Sequence, residues 1–326
     1  MRSIVLSIAV ILSIQCSIGQ RKVGKSPWGA DDQIGTLNMM TDASKLSVLQ
    51  SIGAGKTYDL GVEYFVGMPG FHFMGDPRYQ YWLTHTPHGT LVDNPNYQGE
   101  VMNKKVSYTS DAISMLTHSG THIDALNHFG LYGEIWNGFP VDKYLGDKGW
   151  KKAGAETIPP IIARGILLDV AGFKNKTVLD KGYRISKVDL MGTVQKQKIT
   201  IKKGDVVLIR TGQASHYDNA EKYLDAYPGV SLDAVKWLVE QKHIMVLGAD
   251  NLGLEAFPSE DTDNWVPVHS YLLAEKGVMF LEQLNLEEIA EAKVYEFAFI
   301  ASSLKLRGAS GSPLRPIALP LVTGSD

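Results

Sequence analysis

The chain has 326 residues, of which 44% are hydrophobic, and a formal net charge of −3 at pH 7. A chain of about 300 residues can bury a large core, and the sequence has no internal repeat or linker-like tract, so we expect one elaborated domain. The slightly acidic balance, with a pI of about 6.3, argues against a nucleic-acid-binding surface. The single cysteine, Cys16, lies in a segment that we expect to be removed, which leaves no thiol for a disulfide, a metal site or a nucleophile.

Residues 1–19 are typical of a secretory signal peptide. A basic residue precedes an apolar run over residues 4–14, which is shorter than a membrane span. Ser17 and Gly19 then supply the small residues expected before a cleavage site. We therefore predict a mature domain over residues 20–326 that is exported to a periplasm or to the exterior.

A second interpretation of this leader uses Cys16 as a lipid anchor. Gln15, directly before the cysteine, fits a lipoprotein signal poorly, so secretion is favoured. No later stretch is long and apolar enough to cross a bilayer, and we expect no membrane span in the mature chain.

Two irregular segments precede the centre of the chain. Residues 27–38 predict a loop anchored by the aromatic side chain of Trp28. Residues 67–96 are rich in glycine, proline, histidine and aromatic residues, which is typical either of a lid or pocket wall or of a surface insertion. The histidines of this segment have no tight spacing, so we expect packing or substrate contacts rather than metal ligation. They are His72, His85 and His88.

Periodic segments follow the order expected of a layered α/β fold. Apolar stripes predict a helix over residues 41–52 and another over residues 187–197, the second capped by Ser186. A third helix is predicted after Ser231. Strands that alternate with these helices predict an α/β fold with a partly parallel sheet. The predicted strands cover residues 58–66, 106–116, 161–170, 204–210 and 243–248.

The spacing of apolar residues also predicts which face of each helix is buried. We expect these faces to contact the core. In the first helix they are Leu46, Val48, Leu49 and Ile52. In the second they are Val188, Leu190, Met191 and Val194. In the third they are Ala234, Val235, Leu238 and Val239.

The chain is organised around residues 118–128, His-Ser-Gly-Thr-His-Ile-Asp-Ala-Leu-Asn-His. His118, His122, Asp124 and His128 place three imidazoles and a carboxylate in one short stretch. This donor set suits zinc, manganese or ferrous iron. The alternative is a polar turn with unrelated histidines, which so dense a cluster of potential ligands disfavours.

The residues between these ligands exclude some kinds of metal site. A zincin would have glutamate as general base where Ser119 stands, and a structural zinc site would normally offer thiolates. Gly120 allows a tight bend, and Thr121 offers a hydroxyl that could orient a ligand. What remains is an open site with nitrogen and oxygen ligands, able to hold water or substrate.

The last third of the chain adds three candidates. Asp250 ends a predicted strand, where α/β sheets usually bind ligands, but it could equally cap the following turn. His269 and Glu282 both follow apolar runs. A charged Glu282 buried beside a strand would need a partner, which a metal would supply. Alone, either residue would more often be ordinary surface.

Residues 118–128 resemble the signature H-x-G-T-H-x-D-x-x-x-H of the metal-dependent cyclase-family hydrolases, which include bacterial kynurenine formamidase and isatin hydrolase. The resemblance extends through residues 204–212 and 248–250, the surroundings of His269 and Glu282, and residues 308–315. It covers residues from about 28 to 320. The fold that it implies is a mixed-sheet α/β domain of the swivelling β/β/α type, often a homodimer.

The resemblance also implies a role for each matching residue. His118, His122 and Asp124 match the ligands of a first metal ion, zinc or manganese. Asp124, His269 and Glu282 match those of a second ion in the two-metal members, where Glu282 would also touch the first ion. His128 matches the acid/base histidine.

Two departures set this chain apart from the short formamidases. Leu126 replaces a proline, and the chain is much longer, so it resembles the longer branch of the family.

The implied reaction is hydrolysis of a C–N bond in an amide, an aryl formamide or a cyclic amide or imide. A bound divalent cation lowers the pKa of water toward about 7, and His128 would move the proton to the leaving nitrogen. Trp28, the lid-like segment and Asp250 are the expected substrate contacts. The same donors also fit a two-histidine, one-carboxylate iron oxygenase, which would need dioxygen but not His128. An exported metal-dependent binding protein without turnover is a further alternative.

Overall fold

The structure, a computed structural model, describes residues 21–94, 97–259 and 261–322. The expected signal peptide, with Cys16, lies outside the described residues. In chain order the strands are β1 (Tyr58–Asp59), β2 (Gln80–His85), β3 (Ser110–Ser114), β4 (His122–Asp124), β5 (Glu134–Ile135), β6 (Phe139–Pro140), β7 (Leu145–Gly146), β8 (Gly149–Trp150), β9 (Ile161–Asp169), β10 (Arg184–Ile185), β11 (Val206–Arg210), β12 (Gly229–Val230), β13 (Val246–Ala249), β14 (Met279–Glu282), β15 (Glu296–Ala301), β16 (Gly311–Pro313) and β17 (Ile317–Pro320).

Short helices connect these strands. The α-helices are α1 (Asp42–Gln50), α2 (Pro87–Asp93), α3 (Gly99–Lys105), α4 (Val141–Tyr144), α5 (Val170–Phe173), α6 (Lys187–Gln197), α7 (Ala220–Leu224), α8 (Leu232–Lys236), α9 (Pro267–Ser270) and α10 (Glu287–Glu291). Two π-helical turns, Trp237–Gln241 and Tyr271–Lys276, continue α8 and α9. Within the described ranges, no helix is long and apolar enough to cross a membrane.

One nine-stranded mixed sheet forms the centre of the fold, in the order β1-β17-β15-β9-β11-β13-β14-β4-β16. Its middle strands β9, β11, β13 and β14 are parallel, and the strands on either side are antiparallel. Residues 206–209 of β11 are fully buried, as expected of a parallel strand covered on both faces. The predicted α/β class with a mixed sheet and helices is confirmed.

Helix α6 confirms the predicted bounds and part of the predicted inner face. Ser186 and Asp189 form a reciprocal capping box at its start. Leu190 is fully buried and Val194 packs against the core, as predicted, whereas Val188 and Met191 are 75% and 48% exposed. Asp189 and Thr193 face inward. The Asp189 carboxylate accepts a hydrogen bond from the hydroxyl of Tyr183 and pairs with Lys174, which holds Asp189 inward in the first turn of the helix.

Helix α1 is the second correction to a predicted face. Thr41 caps its start, but none of its residues is buried, and Leu46 and Leu49 are exposed. The helix instead lies over β9 along Lys45 and Val48, which are half-buried. A lysine stem can cover apolar surface while its charge stays in water, so apolar spacing alone gave the wrong rotation.

Several strands are shorter than predicted because local turns end them. The predicted strand 58–66 stops at Asp59, whose carboxylate accepts the Gly61 amide and turns the chain. The predicted strand 243–248 begins only at Val246, because His243 has a left-handed φ of +54°.

Residues 80–94 and 97–114 form what we call the arm. Strands β2 and β3 pair antiparallel into a two-stranded ribbon that is separate from the main sheet. Helices α2 and α3 lie between these strands along the chain and contact each other. The arm leaves and rejoins the body of the protein next to residues 118–128.

Candidate metal centre

The alternation of side-chain direction along strand β4 determines where the first candidate ligands point. His122 and Asp124 are two residues apart and therefore point to the same face, while Ile123 points into the core and is fully buried. Strand β14 runs antiparallel beside β4 and places Glu282 directly opposite His122. The Nε2 atom of His122 lies 3.4 Å from Asp124 Oδ1 and 3.4 Å from Glu282 Oε2.

The backbone fixes which nitrogen of His122 faces the cluster. Its Nδ1 lies 2.8 Å from the Gly120 carbonyl oxygen and donates to it. In the neutral ring, the form that binds a metal, the lone pair is then on Nε2, and this atom is buried without a hydrogen-bond partner between two carboxylates. Gly120 has the expected bend, with φ of +61°, and the Tyr64 ring occupies the space of a Cβ. An orphaned buried imidazole nitrogen among carboxylates fits a metal ion.

Thr121 does not orient a ligand side chain as expected. Its hydroxyl donates to the Gln283 carbonyl oxygen at 2.7 Å and accepts the Val62 amide at 3.0 Å. It therefore ties the start of β4 to the residue after Glu282 and so holds the two ligand-bearing strands in register.

His118 reaches the cluster from the turn before β4. Its Nδ1 lies 2.7 Å from Asp124 Oδ1, and its Nε2 lies 2.9 Å from the Ser310 hydroxyl. The ring stacks on that of His128, with centroids 3.9 Å apart. A Cβ on Gly311 would come within 2.5 Å of the His118 ring, so this position of β16 needs a glycine to admit the imidazole.

His269 is oriented by Glu255, which the sequence analysis missed. Glu255 Oε1 lies 2.5 Å from His269 Nδ1, and the carboxylate also accepts the backbone amides of Val268 and His269. This leaves His269 Nε2 facing Glu282 Oε1 at 3.4 Å. A carboxylate that holds the second nitrogen of a ligand histidine is common in metal sites. The available signal was a single acidic residue in the otherwise apolar run 252–257.

The ligand atoms group into two overlapping triads. Asp124, His269 and Glu282 form one, as the resemblance implies, and His118, Asp124 and His128 form the other; within each, the atoms lie within 4.8 Å of one another. The second triad contains His128, which the sequence analysis assigned to proton transfer. His128 Nε2 is 3.5 Å from Asp124 Oδ2, so it lies beside the predicted ligands and within reach of the same ion. Nitrogen and oxygen donors of this kind fit a divalent cation.

Carboxylates dominate the electrostatics of the cluster. Burial lowers the pKa of His122, but Asp124 and Glu282 outweigh this effect and raise the pKa to about 10. Burial likewise lowers the pKa of His269, whereas Glu255 and Glu282 raise it to about 10. The carboxylates therefore favour positive charge at this position at neutral pH, which is the charge that a divalent cation would bring.

His128 has the opposite shift. Burial and the neighbouring His118 lower its pKa well below the usual value, although Asp124 opposes them. Burial raises the pKa of Asp124, but the adjacent imidazoles outweigh it, with His118 Nδ1 only 2.7 Å from Asp124 Oδ1, and hold that pKa well below the usual value. A neutral imidazole beside an ionised carboxylate can accept a proton at pH 7.

A cavity of about 370 Å³ opens onto this cluster. Its volume is in the range of small-molecule sites. His118, His128, His269 and Glu282 line one side. Five aromatic side chains contribute to the rest of the lining: Phe71, Phe129, Tyr227, Phe257 and Trp265. A larger cavity of about 610 Å³ lies at the Asp59–Arg315 ion pair and has no histidine in its lining.

The segment 67–96 fits both interpretations that its sequence left open. Its first part lines the cavity through Phe71, Met74 and Asp76, as expected of a pocket wall. From Gln80 to Asn94 it forms the first half of the arm, which is the expected surface insertion.

The two predicted substrate contacts lie elsewhere. Trp28 is 40% exposed, and it is not among the described residues that line the cavity, where Trp265 stands instead. Asp250 is fully buried, and its carboxylate accepts the Thr211 amide and hydroxyl and the Gly212 amide at 2.7–2.8 Å. Asp250 therefore caps the turn after β11, where three donors converge on it, and it is not among the described residues that line the cavity.

Comparisons with known proteins give one matching family model and several similar proteins. A protein-family model described as putative cyclase matches residues 58–256. Cyclase-like protein 2 of Arabidopsis thaliana is 26% identical over 281 residues, which is 85% of this chain and 84% of the plant protein. The isatin hydrolase of Roseibium aggregatum is 24% identical over 208 residues, which is 62% of this chain and 71% of that protein. A crystal structure described as a novel cyclase superimposes with a TM-score of 0.80 at 30% identity, covering 92% of this chain and 100% of that one.

Proposed function

Because the chain belongs to the putative cyclase family, we propose that it is a metal-dependent hydrolase of a carbon–nitrogen bond. The substrate is an amide, an aryl formamide or a cyclic amide or imide. The observation that carries the proposal is the convergence of four histidines and two carboxylates on one aromatic-lined cavity. The similarity to an isatin hydrolase adds support for a cyclic amide.

The cofactor in this proposal is zinc or manganese, as one ion or two. The donors are imidazole nitrogens and carboxylate oxygens, and no thiolate stands among them. His122 Nε2 and Glu282 Oε1 are buried without hydrogen-bond partners and face the centre. His122, His118 and Asp124 would hold a first ion, and Asp124, His269 and Glu282 a second.

The protein's own groups supply substrate binding and proton transfer. A divalent cation, when bound, acidifies water and polarises the substrate carbonyl. His128, neutral at pH 7, accepts a proton from the attacking water and passes it to the leaving nitrogen. The carbonyl carbon gains the hydroxyl of water as the C–N bond breaks, so the products are a carboxylic acid and an amine. Asp124, 3.5 Å away, keeps the His128 ring in place.

The shape of the cavity favours a planar ring. Phe129 contacts Trp265, His128 and His269 edge-on, with ring centroids 4.5–5.9 Å apart. It therefore joins the apolar wall to the histidine cluster. An aryl group stacked along this wall would place its amide carbon beside the cluster, since edge-to-face and offset contacts are the preferred aromatic geometries.

Export and assembly belong to the same proposal. We expect the mature chain to begin near Gln20 outside the cytosol, and to form a homodimer. Mass spectrometry of the protein from the native host tests the first point, because a chain that retains Met1 in the cytosol would contradict it.

A substrate screen tests the proposal directly. The protein is loaded with zinc or with manganese and incubated with aryl formamides, lactams, imides and isatin-like rings, and product acids are detected by mass spectrometry. We expect metal-dependent hydrolysis of at least one ring amide, abolished in His122→Ala. An oxygen electrode provides the control, because turnover coupled to oxygen uptake would indicate an iron oxygenase. Metal-loaded protein that binds a ring amide without releasing product would indicate a binding protein.

A further inference from the structure

The helical segment that carries His269 is too short to hold its own position. It consists of the four residues of α9 and the six of the π-helical turn that continues it, and we call it the His269 helix. Helices shorter than about 12–15 residues are marginal in water, and most of their stability comes from tertiary packing. Turns of π-helix are rare and often lie at functional sites. The position of the His269 imidazole therefore depends on the groups that contact this helix from outside.

An arginine near the start of the described chain contacts both ends of the His269 helix. Arg21 Nη2 donates to the Pro267 carbonyl oxygen at 2.9 Å, and Arg21 Nε pairs with the Glu275 carboxylate. The side chains of Arg21 and Glu275 expose only 24% and 17% of their surface. Exposed ion pairs contribute little to stability, but a pair this far out of water is costly to break, because the remaining charge loses its partner. Arg21 therefore ties the first turn of the helix to its last turn.

Residues 21–36 form what we call the strap, which lies along the same helix. The Gly24 amide donates to the Ala274 carbonyl oxygen at 2.9 Å, and a Cβ on Gly24 would lie 2.0 Å from the Glu275 carbonyl oxygen. At the other end, the Thr36 amide donates to the carbonyl oxygen of the glycine that follows the helix, at 2.8 Å. The backbone of the strap therefore packs directly on the backbone of the helix.

The middle of the strap is fixed to a different part of the fold. Asn137 is buried, and its side chain accepts the Ser26 amide and donates to the Gly29 carbonyl oxygen, both at 3.0 Å. The indole nitrogen of Trp136 donates to the Asp32 carboxylate at 3.1 Å. Because these contacts do not involve the His269 helix, the strap is a fixed support on which that helix rests.

We propose that Arg21 is a positioning residue for metal binding, because it holds the helix that presents His269 to the other ligands. Glu255 holds the amides at the start of this helix, and Arg21 holds a carbonyl oxygen of the first turn and a carboxylate of the last. Metal–ligand distances must be correct to about 0.2 Å, so a small displacement of the helix is enough to weaken the bond from His269. The inference rests on the proposed metal-dependent function. It concerns only the position formed by Asp124, His269 and Glu282, because no other candidate ligand lies on this helix.

Arg21→Ala should weaken zinc binding at the His269 position by about tenfold, the lower end of the range for a group that orients a ligand directly. The measurement is competition between the metal-free full chain and a fluorescent zinc chelator. Lys22→Ala is the matched control, because Lys22 is the neighbouring cation of the strap and is exposed. The same zinc affinity in Arg21→Ala and Lys22→Ala would overturn the proposal.

A double-mutant cycle shows whether Arg21 acts through His269. In the His269→Ala background, zinc is left with the position formed by His118, His122 and Asp124, which the strap does not support. Arg21→Ala should then cause no further loss of zinc affinity, whereas a general loss of stability would weaken binding in both backgrounds. Equal weakening by Arg21→Ala with and without His269 would overturn the proposal.

Hydrogen–deuterium exchange of the metal-free protein tests the support without reference to zinc. The amides of residues 268–277 should exchange faster in Arg21→Ala than in Lys22→Ala, while those of β9 should not change. Gly24→Ala, which displaces the strap without removing a charge, should give the same increase. Unchanged exchange in both Arg21→Ala and Gly24→Ala would overturn the proposal. Wild-type protein that binds no zinc or manganese would instead count against the proposed hydrolase, and the exchange result would still decide whether Arg21 supports the helix.

Discussion

Replacing Glu255 by glutamine tests whether the orientation of His269 matters for metal binding. Glu255 is buried, and its two oxygens accept three N–H groups: His269 Nδ1 at 2.5 Å, the His269 amide at 3.0 Å and the Val268 amide at 3.2 Å. Glutamine has the same shape but keeps only one acceptor oxygen. If that oxygen faces His269, the side-chain amide nitrogen meets the Val268 N–H, and neither of these donors is satisfied.

The expected magnitude follows from these contacts. Loss of a group that orients a ligand histidine typically weakens metal affinity by about 10–100-fold, which corresponds to about 1.4–2.7 kcal/mol. The buried, unsatisfied Val268 N–H should also lower the free energy of unfolding by about 1–3 kcal/mol. His269 itself remains, so a metal site of reduced affinity should persist rather than vanish.

Competition with a fluorescent zinc chelator measures the affinity, and thermal unfolding of the metal-free protein measures the stability cost separately. Glu240→Gln is the control for the same chemical change, because Glu240 is a carboxylate in the π-helical turn after α8 that contacts Tyr271 and Lys276 rather than a candidate ligand. We expect wild-type affinity in Glu240→Gln and weakened affinity in Glu255→Gln. A folded Glu255→Gln protein with wild-type zinc affinity would refute the reasoning.

Three further predictions concern a glycine beside His118, the buried Asp250 and the protonation of the candidate ligands. Gly311→Ala should displace the His118 ring, because the new Cβ would come within 2.5 Å of the imidazole. Activity should fall by about tenfold or more while circular dichroism shows an intact fold, and unchanged turnover would contradict this. Asp250→Ala leaves the buried donors of Thr211 and Gly212 unpaired, so it should lower the free energy of unfolding by about 2–4 kcal/mol in denaturant titrations. A loss below about 0.5 kcal/mol would show that these donors find other partners. The carboxylates raise the pKa values of His122 and His269 to about 10, and both imidazoles must be neutral to bind a metal. Metal binding at pH 7–8 should therefore release protons, and metal affinity should rise with pH. Calorimetric binding heats that do not depend on the ionisation enthalpy of the buffer would contradict this.

The local part of the site could be predicted from sequence because strand geometry acts over a few residues. His122 and Asp124 share a face in any strand, and their spacing alone places them together. His118 and His128 flank that strand closely enough to join them. The buried strand β11 was equally clear, because a parallel strand covered on both faces reads as an unbroken apolar run.

Contacts between distant segments could not be predicted in this way. Glu255 meets His269 only through the fold of the loop before α9, and Gly311 meets His118 through the pairing of β16 with β4. The aromatic wall shows the same limit. Trp28 and Trp265 are equally plausible ring contacts by composition, and only the tertiary structure brings Trp265 to the cavity.

Helix rotation also depended on polar contacts that apolar spacing does not record. In α6 the contacts of Asp189 with Ser186 and Tyr183 hold Asp189 inward, and Val188 is exposed although Leu190 is buried as predicted. In α1 the aliphatic stem of Lys45 took the place that Leu46 and Leu49 were expected to fill.

His128→Ala tests the central claim most directly, with metal stoichiometry and turnover measured on one preparation. If His128 carries the proton, metal content should stay near wild type while activity falls by about 10²–10⁴-fold. His122→Ala serves as the comparison, and there metal and activity should be lost together. Loss of metal in His128→Ala would make His128 a ligand, as its place beside His118 and Asp124 allows. Activity close to wild type would contradict the proposed proton transfer altogether.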